Sequence, residues 1–471
     1  MGKPDSMRVK LRLTQKDHAT LKKHLLPGDG LEAIAVALCG RRKSHLRHCL
    51  TVRSLVPIPY NECKIRATGQ VTWSTQRLIP LLEEAARRDL AILKIHSHPG
   101  GYPNFSSLDD ESDSDLFNSI FGWTDSTHPH ASAVMLPNGQ MFGRAALPDS
   151  SFQPLDSILV PGDDIHFWIP ESGDRVPDFT QRHAQLFGSG TTRRLREMSA
   201  AVIGCSGTGS PVIELLARLG IGRLVLVDPD CVEERNLNRI LNATREDACL
   251  RRLKVEVMAR AIAAMGFGTE VEAIPEDLAT PRAIRAVAEC DVVFGCMDGI
   301  EGRHLLNRLS VFYLLPYFDL GVKLEADGRG GIDGAAGAIH YIRPEGSTLL
   351  DRKVYTLAQL KAAGLRRTDP KAYRDQVKVG YIKGVDEDRP AVISINMQVA
   401  SAAINEFLAR LHPYRHDSNV DSAIVRFGFM HGAEYRDIEP APSDMFFTHI
   451  GKADVRPLLS MPELSELAEA L

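Results

Sequence analysis

The sequence predicts an α/β chain with two folded parts, and three observations carry that expectation. At 471 residues the chain is long enough for two or three domains, each with its own core. Apolar runs of strand length alternate with helix-length amphipathic stretches. The alternation is most regular beyond residue 178, where it implies a doubly wound parallel sheet. Between the two parts, residues 148–178 are rich in Pro, Ser, Gly and Asp, which is the composition of a linker. The expected divisions are therefore 1–147, 148–178 and 179–471.

In the first part, Thr14 is placed to cap a helix that runs to about Leu26 and ends at Pro27-Gly28-Asp29-Gly30. Residues 32–39 read as a strand and 81–88 as a helix. Residues 90–95 form a short apolar strand that leads into His96. Residues 133–136 and 140–144, separated by Pro137-Asn138-Gly139, read as a hairpin. Within the linker, Ile158-Leu159-Val160 and Phe167-Trp168-Ile169 are apolar enough to pack against something. In the second part, 200–203, 223–227 and 292–294 read as strands, and 210–219 and 253–265 as helices.

Composition excludes several function classes. The chain is 44% hydrophobic and 25% charged, with a formal net charge of −4, so it gives no reason to expect a nucleic-acid partner. Short basic clusters, Arg193-Arg194 among them, are not interleaved with aromatics and read as solvated surface. No apolar run reaches the roughly 18 residues of a membrane span, and the N-terminus does not read as a signal peptide. The eight cysteines include no C-x-x-C pair, so reduced thiols and a cytoplasmic location are expected.

The densest chemistry lies at His96-Ser97-His98-Pro99, followed after His98 by seven residues and then Ser106-x-x-Asp109. Residues two apart on a strand share a face, so His96 and His98 can reach one ion. Two imidazoles and a carboxylate suit zinc, and three protein ligands leave a position open for water. Taken alone, S-x-x-D is close to a helix capping box, and H-x-H is often just a pair of strand histidines. The joint spacing, with Glu32 in GLEAIAVALCG upstream, resembles the JAMM (MPN+) metalloproteases, which remove ubiquitin-like modifiers from lysines or trim their precursors. The resemblance covers roughly residues 7–147. It implies that His96, His98 and Asp109 hold Zn2+, that Ser106 stabilises an oxyanion, and that Glu32 moves the proton of the metal-bound water. The acidic run 109–115 otherwise reads as a solvated helix start.

A second group of residues begins at Gly204-Cys205-Ser206-Gly207-Thr208-Gly209, a glycine-rich loop joining a strand to a helix. Such loops let phosphates approach the backbone at a helix N-terminus. Asp228, about twenty residues on, stands where a ribose-binding carboxylate belongs in a dinucleotide site as well. The continuation VDPDCVEERNLNRI adds Asp230, Asn236 and Arg239. Lys254 and Asp298 follow. Cations can neutralise a triphosphate and carboxylates can hold Mg2+, whereas hydride transfer needs no such set.

The pattern is similar to the ThiF and ubiquitin-activating superfamily over roughly residues 179–440. The resemblance implies a Rossmann-like domain that uses ATP and Mg2+ to adenylate the C-terminal carboxylate of a small ubiquitin-like, β-grasp protein. Asp228 would bind ribose, Asn236, Arg239 and Lys254 phosphates, and Asp298 Mg2+, with Asp230 as a helper. RHAQLFG resembles the family's R-Q-x-x-x-F-G segment, which makes Arg182 an arginine finger reaching across a homodimer. One departure is Ser206, where many members have glycine.

Many members then pass the acyl group to a cysteine, yet no cysteine follows Cys296. Three readings stand. The adenylate goes directly to a separate conjugating enzyme or acceptor; Ser347 or Thr348 in PEGSTLLDR forms an oxyester; or Cys205 or Cys296 serves as the thiol. The expectation for the whole chain is a bifunctional enzyme of bacterial style. One half activates a modifier and the other cuts at that modifier's C-terminus. The alternatives are activation of a sulfur carrier and a non-catalytic modifier-binding scaffold.

Overall fold

A computed structural model describes residues 7–44, 46–171, 177–378 and 390–465. The chain divides into two compact units: residues 1–174 with 312–314 and 449–460, and the remainder. The first unit contains β1 (Arg8–Arg12), α1 (Gln15–Leu25), β2 (Ile34–Arg42), β3 (Arg47–Pro57), β4 (Cys63–Ala67), β5 (Gln70–Trp73), α2 (Ile79–Arg88), β6 (Ala91–Ser97), α3 (Ser107–Thr124), β7 (His130–Met135), β8 (Met141–Ala146), β9 (Phe152–Pro154), β10 (Ser157–Pro161) and β11 (Ile165–Trp168). Nine strands form one mixed sheet in the order β11-β10-β1-β3-β2-β6-β7-β8-β9, and β4-β5 forms a separate hairpin.

The sheet is covered on both faces, which explains why β2 is buried along its whole length. Ala35, Ala37 and Cys39 pack with Leu21 and Leu25 of α1. The alternate residues Ile34, Val36 and Leu38 pack with Leu82 of α2 and with Phe117 and Ile120 of α3. Each of these large side chains contributes about 1.5–3 kcal/mol through burial. On β6, Ile92 lies on the α3 face, and by alternation so do Lys94 and His96. The linker expectation is corrected here, because residues 152–168 supply three strands at the two edges of the sheet. β9 pairs with β8, and β10 runs parallel to β1. These strands are only three to five residues long, and the turns between them impose the Pro/Ser/Asp composition.

The second unit contains α4 (Gln181–Glu197), β12 (Ser199–Ile203), α5 (Gly209–Leu219), β13 (Arg223–Val227), α6 (Arg245–Cys249), α7 (Lys254–Met265), β14 (Glu270–Ile274), α8 (Pro281–Ala288), β15 (Val292–Gly295), α9 (Ile300–Tyr313), β16 (Tyr317–Ala326), β17 (Ile332–Ile342), α10 (Leu357–Thr368), α11 (Pro370–Lys378), α12 (Ile393–Leu411), β18 (Ile424–Gly428) and β19 (Ala433–Asp437). The sheet order is β14-β13-β12-β15-β16-β17-β18-β19. β14 to β16 are parallel, as expected of a Rossmann-like doubly wound sheet, and the last three strands are antiparallel. Strand order reverses between β12 and β15, and the crevice at their carboxyl ends is where such sheets bind ligands.

Candidate functional sites

In the first unit, β6 delivers His96 and His98 follows directly after it. The structure brings both to Asp109 on α3. His96 Nε2 lies 3.1 Å from His98 Nε2 and 2.9 Å from Asp109 Oδ1, and His98 Nε2 lies 3.4 Å from Asp109 Oδ2. Tetrahedral ligands about 2.0–2.1 Å from a zinc ion stand about 3.3 Å apart, so these spacings suit one small cation. His98 Nδ1 is hydrogen-bonded to the Tyr102 carbonyl at 2.8 Å, which fixes the tautomer and turns Nε2 toward the cluster. Burial favours neutral His96. Burial alone would raise the Asp109 carboxyl, but hydrogen bonds from His96, His98 and Ser106 hold it well below the usual range.

Ser106 forms the capping box that S-x-x-D taken alone suggests. Its backbone N–H and its hydroxyl each donate to Asp109 Oδ2 at 2.7 Å, and the Asp109 N–H donates to Ser106 Oγ at 3.2 Å. Glu32 lies just before β2, where its N–H donates to the Ala67 carbonyl on the β4-β5 hairpin. It lines a cavity of about 60 Å³ with His96, Asp109, Lys94, Leu108 and residues 69–72 of the hairpin. That volume admits a few waters. Glu32 is 6% exposed, and burial pushes its carboxyl up to about 7.

The acidic helix start is not simply solvated. Asp113 is fully buried between two cations that the sequence reading passed over. Lys94 Nζ donates to it at 2.6 Å and Arg144 Nη2 at 2.7 Å. Arg144 also donates to the Asp109 carbonyl at 3.1 Å, and its guanidinium stacks 3.9 Å over the Phe105 ring. This group fixes the first turn of α3 against β6 and β8. The available signal was Lys94, two residues before His96 on the same strand face.

In the second unit, the loop from β12 to α5 crosses the crevice at the strand-order reversal. Gly204 has a φ of +91°, and a β-carbon there would crowd the Cys296 carbonyl after β15. A β-carbon on Gly209 would run into the Gly204 carbonyl. Asp228, at the end of β13, accepts from the N–H of Cys205 at 2.7 Å and of Asp230 at 2.9 Å, and so holds the loop. Burial raises the Asp228 carboxyl against the opposing pull of Lys254. Lys254 Nζ, buried at the start of α7, donates to Asp230 at 2.7 Å and stands 3.7 Å from Asp228. Asn236 is buried and accepts from the Glu233 N–H at 3.1 Å. Arg239 donates to the Arg235 carbonyl and to Asn238. Asp298 is exposed just after β15. Arg182 is exposed on α4, where its guanidinium bonds Gln185.

The candidate acyl acceptors fare differently. Ser347 is fully buried, donating to Glu439 at 3.2 Å and accepting from Arg352 Nε at 2.9 Å. The Thr348 hydroxyl is buried against Asp351. Both hydroxyls are therefore engaged in structural contacts. Burial also pushes the thiols of Cys205 and Cys296 far above the usual range, which makes them poor nucleophiles as they stand.

Residues 180–444 match the model of the ThiF family. The chain is 30% identical over 163 residues to ubiquitin-like modifier-activating enzyme 5 of Drosophila willistoni, covering 32% of this chain and 37% of that protein. It is 30% identical over 166 residues to the sulfur carrier protein adenylyltransferase of Thermus thermophilus, covering 34% of this chain and 58% of that protein. The chain thus spans less than two thirds of either relative. Among solved structures, E. coli MccB with MccA-N7isoASN aligns at a TM-score of 0.45 and 16% identity, over 58% of this chain and 75% of that one.

Proposed function

The chain belongs to the ThiF family, and from that premise we infer that its second unit adenylates the C-terminal carboxylate of a small ubiquitin-like, β-grasp protein. The observation that carries this reading is the glycine loop at the strand-order reversal, with Asp228 and Lys254 beside it. In this reading Asp228 holds ribose, and Asn236, Arg239 and Lys254 hold phosphates. Asp298 holds Mg2+ with help from Asp230, and Arg182 acts across a homodimer. The acyl-adenylate passes to a separate acceptor. ATP–pyrophosphate exchange with candidate carrier proteins, followed by intact mass spectrometry, tests it. An adenylate labile to hydroxylamine is expected, and no exchange with any carrier ending in glycine would refute it. The named relatives support both a modifier and a sulfur carrier as partner. A sulfur carrier adds a requirement for a sulfide donor.

We further propose that the first unit is a JAMM-type zinc hydrolase cutting peptide or isopeptide bonds at the same C-terminus. Support comes from the three converging ligand atoms of His96, His98 and Asp109. Zinc, when bound, supplies an acidified water and polarises a carbonyl. Glu32, whose pKa lies near neutrality, takes a proton at its carboxylate and returns it to the leaving amine. The Ser106 hydroxyl turns from Asp109 to donate to the developing oxyanion. Metal analysis and cleavage of a linear carrier fusion test this half. Absence of both zinc and pyrophosphate exchange would leave the scaffold reading instead. Among the described residues no helix is long and apolar enough to cross a membrane, and a cytoplasmic location is part of the proposal.

A further inference from the structure

α12 places a polar side chain against the phosphate loop that no motif in the sequence marks. Asn396, in the first turn of this 19-residue helix, is 4% exposed. Its backbone N–H is used by the Val392 carbonyl. A β-carbon built on Gly207 would overlap Asn396 Nδ2 and come 3.4 Å from its Cγ and 3.3 Å from Arg239 Cδ. The amide therefore lies directly on the loop's middle glycine, beside the stem of Arg239. A side-chain amide offers two N–H donors, and this one is held against the loop that approaches the phosphates in a site of this kind. The positive end of α12 favours an anion at the same place.

We propose that Asn396 is a ligand-contacting residue of the nucleotide site, its amide donating to the phosphate chain of bound ATP. The proposal rests on the reading of the second unit as an ATP site. It also explains why Gly207 must lack a side chain: the space is taken by Asn396.

The test is calorimetric titration of the full chain with ATP-Mg and, separately, with adenosine. Wild type, Asn396→Ala and the near-isosteric Asn396→Asp are compared. A hydrogen bond to a charged group predicts ATP binding weaker by about 10- to 100-fold in Asn396→Ala. Asn396→Asp, which sets a carboxylate against phosphate, is expected to be weaker still. Adenosine affinity should stay within about twofold throughout. If wild type binds no ATP, the reading of the unit fails. If wild type binds and both variants bind ATP equally well, the proposal alone fails. Equal weakening toward adenosine would overturn it too, because the amide would then act only on loop shape. Asn396→Asp carries the test if Asn396→Ala unfolds.

Discussion

Glu32 is the residue whose proposed role conflicts most with stability, and the conflict can be measured. Its carboxyl has an ordinary value of 4.5 and is pushed up to about 7 in the fold by burial. The folded state therefore binds a proton more tightly than the unfolded one. The sign follows directly: Glu32 costs nothing below pH 4.5, and stability falls as pH rises through 4.5 to 7. The interval corresponds to about 3 kcal/mol at about 1.4 kcal/mol per tenfold change in proton affinity. Water in the cavity screens part of that, which puts the expected cost at about 1–3 kcal/mol above pH 7. Glu32→Gln keeps the shape and removes the titration. In metal-free protein its first unit should melt at the wild-type temperature near pH 4. At pH 8 it should melt about 2–12 °C higher, by the scaling for units of 150–250 residues. Added zinc should narrow the gap, because a nearby dication favours the carboxylate. Calorimetric scans from pH 4 to 8 read this directly. A gap that is independent of pH, or of the opposite sign, would refute the burial of the Glu32 carboxyl as the cause of its raised pKa.

Four other outcomes are expected. His96→Ala and Asp109→Asn should each lose bound zinc by plasma mass spectrometry while ATP binding is unchanged, and Glu32→Gln should retain zinc and lose cleavage. Cleavage by wild type should fall as pH drops and Glu32 becomes protonated, in a range that the neighbouring zinc sets lower than in metal-free protein. Asp113→Asn leaves Lys94 buried without its carboxylate and Arg144 with Asp110 alone, and should cost about 3–5 kcal/mol in denaturant titration. Gly209→Ala forces a methyl group into the Gly204 carbonyl, and should abolish calorimetric ATP binding without altering zinc content.

Legibility followed spacing. Glu32, brought beside His96 by the pairing of β2 with β6, is marked only by the resemblance, whereas His96, His98 and Asp109 are legible because a strand, a short loop and a helix start convert sequence intervals into fixed distances. The glycine loop and Asp228 were readable for the same reason, being joined by adjacent parallel strands. Residues brought in by distant elements were not. Arg144 reaches Asp113 from β8, and Asn396 reaches Gly207 across 189 positions of sequence (396 less 207) from α12. Nothing near either residue in sequence announces its partner. Strands β9 to β11 escape the sequence pattern for a different reason. Edge strands of three to five residues have too little period to outweigh the turns between them.

On the proposed zinc reading, the cap and the metal ligand of S-x-x-D need each other. Asp109 divides its carboxylate: Oδ2 takes the two hydrogen bonds from Ser106, and Oδ1 faces His96. A carboxylate at the third position of a helix is mobile unless something fixes its rotamer, and the cap does so while satisfying helix N–H groups. Its charge also gains from the helix N-terminus, which helps keep it ionised beside two histidines. If Asp109 binds zinc as proposed, the cap-forming serine also presents a ligand oxygen while keeping its own hydroxyl on that carboxylate. Ser106→Ala separates the two duties. Loss of the cap should cost about 1 kcal/mol and weaken zinc retention slightly. Loss of an oxyanion donor should lower kcat for cleavage about 10²–10³-fold. A kcat deficit no larger than the loss of bound zinc would reduce Ser106 to a cap.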